Sequence, residues 1–542
     1  MKYLKKIGSL LLIVLGIVFL IVTLGSSKNN SINLRNLSEK ISWQKNKTQT
    51  TNKQISVSTS NPYATKVGVD ILRNGGNADA AVGVSYALAV TEPYASGLGG
   101  GGGMIIYDPQ TRQYHGVDYR DSAPISHKEI SSEIGVPTFV KGMDYISRQY
   151  GAHSMSKNMQ ASVDLAQDGF KVSPFFAKYI NVYRYFLKRN SDYLNHSGNL
   201  LKKGETMHPE KLAQTLTKIQ EKGIAAYYSG SIANLIMAKS DLTQSDLNSA
   251  RVEITKPVVT KIGNDQYATL APPFSGTTLL QMLKIANKVS MADPMKDPDS
   301  YLKQYSAIRQ LTYHDRLEHL GDPTHYQIDY QKMVSSDYIN KLMNDYGKPL
   351  SLNGQESDSQ NTTHFSIIDK NGMAVSSTNT LGSFYGSQVE AGGFYLNAAN
   401  RLFASDSKNI NSYEPGKKPR NFTAPTIIKT GDNKTIALGT PGGNMIPEFL
   451  FQIIYDHQIN GTGYQKSINK TRLYMPNQNQ FVLETSTNRP NYLALEKINH
   501  TSYTKKETSE FFGSVQIAYR DDKTGQTHTY GDNRRDENLN ER

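Results

Sequence analysis

The spacing of hydrophobic and polar residues changes along the chain from a helical to a strand-like pattern. Asn61-Pro62 is typical of a helix start and Gly75-Gly76 of its end, and an alanine-rich second helix is predicted from Asp79 to Val90. Helical spacing returns in three segments, residues 155–190, 208–222 and 277–289. Strand-like alternation, with many β-branched and aromatic residues, occurs at 362–380, 393–397, 424–438 and 514–530. The pattern predicts a helix-rich N-terminal two thirds and a strand-rich last third.

The N-terminal segment has the pattern of an export signal. A basic flank, Met1–Lys6, precedes eighteen uncharged and largely apolar residues, Ile7–Leu24. This run is longer than the roughly 7 to 15 apolar residues of a cleaved signal and just reaches the length of a membrane span. Residues 1–25 are therefore predicted to be either a retained membrane anchor or a removed signal. Residues 26–57 are polar and predict a tether, so the body should begin near residue 58, outside the membrane, on the cell surface or secreted.

Composition and charge exclude several classes of function. The 542 residues include no cysteine, which excludes disulfides, thiolate metal sites and cysteine nucleophiles. The net charge is +12, but residues 1–61 contribute nine basic residues and one acid, leaving 51 against 47 for the rest. A body with so small an excess is not expected to bind nucleic acid. The sequence has no P-loop, no His-Glu-x-x-His motif and no acidic calcium loop, and we expect neither a metal nor a cofactor.

Two weaker motifs have simpler interpretations. Gly97–Gly102 matches a dinucleotide-binding pattern, but a helix precedes it and a strand follows, the reverse of that motif's context. The five glycines from Gly99 are better explained by two backbones that approach closely. Three short motifs occur in the order used by penicillin-recognising serine enzymes, but the last, Lys429-Thr-Gly431, is predicted to be a hairpin loop rather than part of an active-site strand.

A predicted hairpin brings two threonines together. Asn361-Thr-Thr-His-Phe365 follows a polar stretch and opens a strand, and Asp369–Gly372 contains the Asn-Gly turn signal. Whether the loop has four residues or two, Thr362 lies opposite residue 379, 380 or 381, so Thr380 should stand beside it. The alternative is a threonine pair that packs across an ordinary hairpin.

A glycine-rich turn follows another predicted strand. Gly439-Thr-Pro-Gly-Gly443 comes directly after Thr435–Leu438. Two successive glycines can present adjacent backbone N–H groups to an oxyanion without an intervening side chain.

Together, these segments resemble the γ-glutamyltranspeptidase family over most of residues 58–535. The resemblance implies an α+β fold, the four-layer αββα sandwich of N-terminal-nucleophile hydrolases. It also implies a precursor that cuts itself between Asn361 and Thr362 into a large subunit, 58–361, and a small catalytic subunit, 362–542, which remain together as a heterodimer. The residues that carry it are Gly75–Ala81, Glu92–Gly100, Asp118–Pro124, Gly135–Pro137, Pro272–Gly276, Asp315-Arg316, Gly321–Pro323, Thr362–His364, Pro425-Thr426 and Gly439–Gly443.

The resemblance also implies a mechanism. Thr362 would be the nucleophile, and its own amine, with a reference pKa near 7.7 to 8.0, would be the base once the chain is cut. Thr380 would hold Thr362 in place, Gly442 and Gly443 would form the oxyanion hole, and Arg120 would bind the substrate's α-carboxylate. A γ-glutamyl acyl-enzyme would then react with water or an acceptor amine.

Departures from the family pattern bear on the substrate. Asn397–Phe403 lacks the acid that ordinary transpeptidases use for a free α-ammonium, and Gly382 replaces an asparagine. A γ-linked polyglutamate has no internal ammonium but one α-carboxylate per residue, so arginines such as Arg401 or Arg420 would attract it. The Arg420–Thr426 segment also resembles the poly-γ-glutamate capsule depolymerase branch. Poly-γ-glutamate is therefore the expected substrate. The alternatives are a glutathione-type transpeptidase and a catalytically inactive surface binding protein on the same fold.

Overall fold

The globular body begins with a strand. The computed structural model describes residues 54–535 except 75, 351–360, 478–479, 486–488, 499–501 and 507–508. The predicted anchor or signal, 1–25, and most of the tether lie outside these residues. Strand β1 begins at Ser56, two residues before the predicted start of the body, because Ile55 and Val57 are buried in its core. None of the helices in the described part combines the length and apolarity needed to cross a membrane.

Two six-stranded antiparallel sheets form the centre of the body, with strands numbered in chain order. The N-terminal two thirds of the chain contributes strands to both sheets. The sequence pattern predicted that this part is rich in helix. The first sheet has the order β1 (Ser56–Thr59), β9 (Thr363–Ile368), β10 (Ala374–Thr380), β2 (Gly101–Asp108), β3 (Gln113–Tyr119) and β6 (Glu253–Thr255). The second has the order β19 (Thr527–Gly531), β18 (Gln516–Asp521), β14 (Lys434–Gly439), β13 (Thr426–Lys429), β8 (Asp265–Thr269) and β7 (Val258–Ile262).

Shorter strands lie outside these two sheets. They are the pair β4 (Phe170–Lys171) and β5 (Thr206–Met207), the pair β11 (Glu390–Ala391) and β12 (Phe394–Tyr395), and the group β15 (Leu473–Asn477), β16 (Gln480–Glu484) and β17 (Tyr503–Lys506).

The helices form the two outer layers. Those of the first half, numbered in chain order, are α1 (Pro62–Arg73), α2 (Asn77–Thr91), α3 (Phe139–Tyr150), α4 (Met155–Asn158), α5 (Gln160–Asp168), α6 (Pro174–Val182), α7 (Arg184–Leu187), α8 (Glu210–Lys222), α9 (Ile224–Tyr228), α10 (Ser231–Met237) and α11 (Gln244–Ser249). Those of the second half are α12 (Gly276–Lys288), α13 (Pro298–His319), α14 (Ser336–Leu342), α15 (Ile446–Asn460) and α16 (Tyr464–Asn469).

Alternating side chains fill three cores between these layers. On β2, Met104 and Ile106 join the core beneath α1 to α11, whereas Ile105 and Tyr107 point into the core between the sheets. A third core lies between the second sheet and helices α12, α13 and α15. The order helix, sheet, sheet, helix is the predicted four-layer αββα sandwich.

Several predicted elements are confirmed, and one is divided. Helix α1 starts as expected, because the Asn61 side chain accepts hydrogen bonds from the backbone N–H groups of Tyr63 and Ala64 at 3.0 and 3.4 Å. The predicted helical stretch 155–190 is instead four short helices with β4 between them. Gly169, at φ 79°, ends α5, and Ser173 caps α6 by accepting from the N–H of Phe176. The sequence pattern missed these interruptions.

Candidate active site

The β9–β10 hairpin sets the position of the two threonines. Ile368 pairs with Ala374, so the loop has five residues, Asp369–Met373, rather than the four or two considered from the sequence. The ladder continues to Thr363 opposite Asn379, and one further step brings Thr362 opposite Thr380. The predicted pairing is therefore reached through a register that lies between the two predicted registers.

Both threonines face the second sheet. On the same strands, the hydroxyl groups of Ser366 and Ser376 donate to the carbonyls of Gln516 and Leu438 in that sheet, at 3.2 and 2.9 Å. Strand side chains alternate with a period of two, so Thr362 and Thr380 point to the same side as these serines. The hydroxyl groups lie at the rim of the space between the two sheets.

Thr380 contacts the peptide bond that precedes Thr362. Its hydroxyl donates to the carbonyl of Asn361 at 2.8 Å and accepts from the N–H of Gly382 at 2.9 Å. Asn361, Thr362 and Thr380 are 0%, 2% and 4% exposed. A donor on this carbonyl oxygen draws electron density from its carbon, so the arrangement favours attack on the 361–362 peptide bond.

Arg535 contacts the other side of Thr362, and the sequence gave no signal for it. Its Nη1 donates to the Thr362 carbonyl at 3.1 Å, and its guanidinium lies 5.4 Å from the ring centre of Phe175 on α6. Burial is the largest influence on Arg535 and lowers its pKa, opposed by Tyr179, Tyr94 and Glu92. Arg535 is far from Thr362 in sequence, so no local pattern could have indicated this contact.

Arg120 lies in line with Thr362 and Thr380 across neighbouring strands of the first sheet, and these three residues are called the row. Thr380 pairs with Gly101, and Gly102 pairs with Tyr119, so one further step brings Arg120 opposite Gly101. With neighbouring strands about 4.8 Å apart, Arg120 is two strands from Thr380 and points to the same face. The sheet thus aligns the predicted nucleophile, its predicted partner and the predicted carboxylate-binding residue along one edge.

Only part of the Arg120 guanidinium forms hydrogen bonds with described residues. It is 1% exposed, and its Nη1 donates to Asp121 at 2.9 Å, but Nε and Nη2 have no hydrogen-bond partner among the described residues. Burial raises the pKa of Asp121 to about 7, although Arg120 opposes the shift. Two buried, unpartnered N–H donors on one planar group suit a carboxylate ligand.

The glycine-rich turn starts beside the hairpin. A Cβ on Gly439, at the end of β14, would lie 2.2 Å from the ring of His364, so only glycine allows this contact. Gly442 and Gly443 have φ of 148° and 60°, conformations that other residues rarely adopt, and they lead into α15. Backbone N–H groups before a helix can stabilise an anion. The turn therefore begins next to a residue two positions after Thr362.

His364 is a packing residue. Its ring nitrogens lie 2.9 Å from the Thr378 hydroxyl and 3.1 Å from the Ser366 hydroxyl. Complete burial lowers its pKa to about 3, so the ring stays neutral near pH 7.

Arg401 and Arg420 do not join this row. Arg401 is on the surface, where its Nη2 lies 2.5 Å from Oε1 of Glu133. Arg420 is buried, and its Nη1 donates to the carbonyls of Arg316, Leu317 and Leu320 at the end of α13. These backbone carbonyls at the helix end need donors and take Nη1 of Arg420, and substrate binding by Arg420 stays a prediction.

The positions that depart from the family pattern contact only nearby parts of the protein. Leu402, in the segment that lacks the acid of ordinary transpeptidases, is buried, and its carbonyl accepts from the Asn411 side chain at 2.7 Å. Gly382 has φ 85°, and a Cβ there would lie 3.2 Å from the backbone of Ala398. Neither position provides an acid for an ammonium group.

The five-glycine run allows close backbone contact, as expected. A Cβ on Gly99 would lie 2.1 Å from the Tyr395 carbonyl oxygen, and one on Gly100 would lie 2.3 Å from the Thr380 carbonyl oxygen. These glycines let β10 and the β12 segment pack against β2.

Comparisons with known proteins agree with this geometry. The gamma-glutamyltranspeptidase family model matches residues 64–541. The chain is 39% identical over 486 residues to the capsule biosynthesis protein CapD proenzyme of Bacillus anthracis, covering 88% of this chain and 89% of that protein. It is 30% identical over 472 residues to the glutathione hydrolase proenzyme of Escherichia coli (strain K12), covering 78% and 81%.

A solved structure shares the fold. Cephalosporin acylase from Bacillus halodurans superimposes with a TM-score of 0.79 at 23% identity, covering 89% of this chain and 95% of that one. This similarity confirms the predicted four-layer α+β fold. Since the family model spans most of the body and the proenzyme relatives align over most of their length, the chain belongs to the gamma-glutamyltranspeptidase family and is an enzyme of that family.

Proposed function

We propose that this chain is a precursor that cuts itself between Asn361 and Thr362 and then uses Thr362 to cleave or transfer γ-glutamyl bonds of poly-γ-glutamate. The observation that carries the proposal is the 2.8 Å hydrogen bond from the Thr380 hydroxyl to the Asn361 carbonyl, inside a buried site. An ordinary threonine pair across a hairpin would not need its hydroxyl on that carbonyl.

In maturation, the Thr362 hydroxyl oxygen attacks the Asn361 carbonyl carbon, whose oxygen Thr380 polarises. The C–N bond breaks, the hydroxyl proton passes to the departing nitrogen, and an ester joins Asn361 to Thr362. Water hydrolyses the ester, which leaves a carboxylate on Asn361 and restores the hydroxyl of Thr362, now with a free amine. The chain becomes a large and a small subunit that remain paired, because both sheets contain strands from each.

In turnover, the free amine of Thr362 takes the proton of its own hydroxyl as that oxygen attacks the substrate's γ-carbonyl. Its reference pKa near 7.7 to 8.0 leaves part of it neutral at pH 7. The N–H groups of Gly442 and Gly443 would stabilise the oxyanion, and the leaving nitrogen would receive the proton. The acyl-enzyme then passes the γ-glutamyl group to water or to an acceptor amine.

The polymer is favoured over glutathione by what surrounds the site. Nε and Nη2 of Arg120, which have no partner among the described residues, suit an α-carboxylate, and Leu402 provides no acid for a free ammonium group. The capsule biosynthesis relative at 39% identity is consistent with a capsular γ-glutamyl polymer. The similarity to a glutathione hydrolase at 30% identity makes glutathione the second candidate.

The enzyme would act outside the membrane. Residues 1–25 would export the chain and either anchor it in the membrane or be removed, so the body would be surface-held or secreted. Mass spectrometry of the mature N-termini distinguishes these outcomes.

Purified protein tests the proposal in two measurements. A fragment that begins at Thr362 and contains about 181 residues (542 − 361) should be found by mass spectrometry. Hydrolysis of poly-γ-glutamate should exceed that of glutathione, and it should weaken as ionic strength rises because exposed charges are screened beyond about 8 to 10 Å. A single uncut chain without turnover would support the inactive binding protein, and faster glutathione use with little salt dependence would support the glutathione-type enzyme.

A further inference from the structure

Positive charge is concentrated in one surface segment of the large subunit. Residues 170–204, here called the basic segment, contain a single acid, Asp192. Residues 62–542 without this segment are close to neutral, with 44 basic residues against 46 acids. The segment includes α6, α7 and the loop after them, and its seven basic residues are Lys171, Lys178, Arg184, Lys188, Arg189, Lys202 and Lys203.

Four of these basic residues extend into solvent. Lys188, Arg189, Lys202 and Lys203 are exposed, and none of them forms an ion pair with another residue in the described ranges. Two acids lie close to these four cations, Asp192 within the segment and Glu205 just after it, which accepts a hydrogen bond from the backbone N–H of Lys202 at 2.6 Å, so the balance remains positive. Such unpaired charges produce a positive potential that favours an anionic partner.

Aromatic packing fixes the basic segment beside the active site. The Tyr179 ring, on α6, stacks on Phe384 with ring centres 3.9 Å apart and an interplanar angle of 9°. Tyr183 also contacts Phe384, at 6.0 Å. Phe384 lies four positions after Thr380 and follows Ser383, whose carbonyl accepts from the Asn361 side chain at 3.3 Å.

A second contact links α6 directly to the nucleophile. Phe175 lies against the guanidinium of Arg535, and Arg535 donates to the Thr362 carbonyl at 3.1 Å. One side of α6 therefore borders the residues that hold Thr362, while Lys188 and Arg189 follow α7 on the surface.

We propose that the basic segment is a docking surface for the γ-glutamyl polymer, which binds α-carboxylates of the chain next to the bond that Thr362 cleaves. The inference rests on the proposed function, and it assigns the polymer a binding surface beyond Arg120. A γ-linked chain carries one carboxylate per residue, so several unpaired cations can act on it together. A short γ-glutamyl substrate ends before it reaches them.

The test removes four charges without touching the site. Lys188→Gln, Arg189→Gln, Lys202→Gln and Lys203→Gln are combined in one variant, and steady-state kinetics are measured with long poly-γ-glutamate and with a γ-glutamyl dipeptide. We expect KM for the polymer to rise about tenfold and its salt dependence to become shallower. The kinetics with the dipeptide should change less than twofold.

The matched control removes four lysines from the opposite helical layer. Lys288, Lys303, Lys332 and Lys341 are exposed on or beside α12, α13 and α14, and their combined change to Gln lowers the net charge by the same amount. The control should leave KM for the polymer within twofold of wild type. Equal effects of the two sets, or no effect of the first, would overturn the docking surface while the proposed function stands.

Two further outcomes are separable. If the wild-type enzyme does not cleave the polymer, the proposed function fails. Direct binding of poly-γ-glutamate to the wild type and to the variant then tests the docking surface by itself. Equal binding by the two proteins would overturn the docking surface. If the first variant instead loses binding to vesicles of phosphatidylglycerol and phosphatidylcholine with polymer kinetics unchanged, the segment binds lipid and the proposal is wrong.

Discussion

Arg120 and Arg420 are both buried arginines, yet the groups that surround their guanidinium groups differ. Nη1 of Arg420 donates to three carbonyls at the end of α13. Arg120 donates to Asp121, while its Nε and Nη2 have no partner in the described part of the chain. We propose that Arg120 binds a substrate carboxylate through this planar group, whereas Arg420 supports the end of α13. The comparison teaches that burial and charge alone do not identify a binding arginine.

The comparison between the two arginines has meaning only if the row that contains Arg120 is the reaction site. Thr362→Ala tests this and should have the largest effect of the variants. Without the hydroxyl, neither the cut nor the acyl-enzyme can form, so the chain should stay full length and inactive. Denaturing gels and intact mass measure the cut. Thr362→Ser, which keeps a hydroxyl, is the control and should still be processed. Cleavage of the Ala variant at the same bond would show that the nucleophile is misassigned.

Matched substitutions of the two arginines sharpen the comparison itself. Arg120→Lys keeps a positive charge beside Asp121 but loses the planar fork, so kcat/KM should fall about 10- to 100-fold with little change in the free energy of unfolding. Arg420→Lys should show the reverse, because carbonyls at the end of α13 lose donors: unfolding should become easier by about 1 to 3 kcal/mol.

Steady-state kinetics and denaturant unfolding on both variants measure these effects. Activity per folded molecule of Arg420→Lys should stay within threefold of wild type. A loss of activity without a loss of stability in Arg420→Lys would contradict the structural role proposed for Arg420.

Thr380→Ala tests the residue between Thr362 and Arg120 in the row. The lost hydroxyl contacts the Asn361 carbonyl, so processing should slow and turnover should fall about 10- to 100-fold, since one orienting hydrogen bond contributes about 1 to 3 kcal/mol. Thr378→Ala is the control, because the Thr378 hydroxyl bonds to His364 instead. A larger effect of Thr378→Ala on turnover would contradict the assignment.

The last prediction concerns stability at low pH and the buried His364, and it leaves the chemistry of the site unchanged. Its pKa falls from 6.5 to about 3 on folding, so the unfolded chain binds this proton more readily. Its contribution to stability is therefore complete above about pH 6.5 and is lost as the pH falls towards 3, by at most about 1.4 kcal/mol per pH unit. Denaturant unfolding between pH 7 and pH 4 measures the slope, which His364→Gln should flatten. An unchanged slope in that variant would assign the acid sensitivity to other groups.

The local signals in the sequence predicted much of the fold. The capping residue Asn61, the β9–β10 hairpin and the Lys429–Gly431 turn depend on neighbouring residues, and all are found in the structure. The hairpin also placed Thr380 beside Thr362, because strand pairing fixes a register over a few residues. The sequence did not predict the five-residue loop, the interruptions after Gly169, or the strands that the N-terminal part supplies.

By itself, the sequence determined the family, the threonine pair and the glycine turn, since each depends on a short motif whose chemistry is local. Only the tertiary structure decided which groups the arginines contact. Arg120 reaches the row through two strand pairings, Arg420 is occupied by a distant helix end, and Arg535 reaches Thr362 from the far end of the chain. A guanidinium contributes the same charge wherever it lies. Its function depends on which acceptors the fold brings within hydrogen-bonding distance, and those acceptors lie far away in sequence.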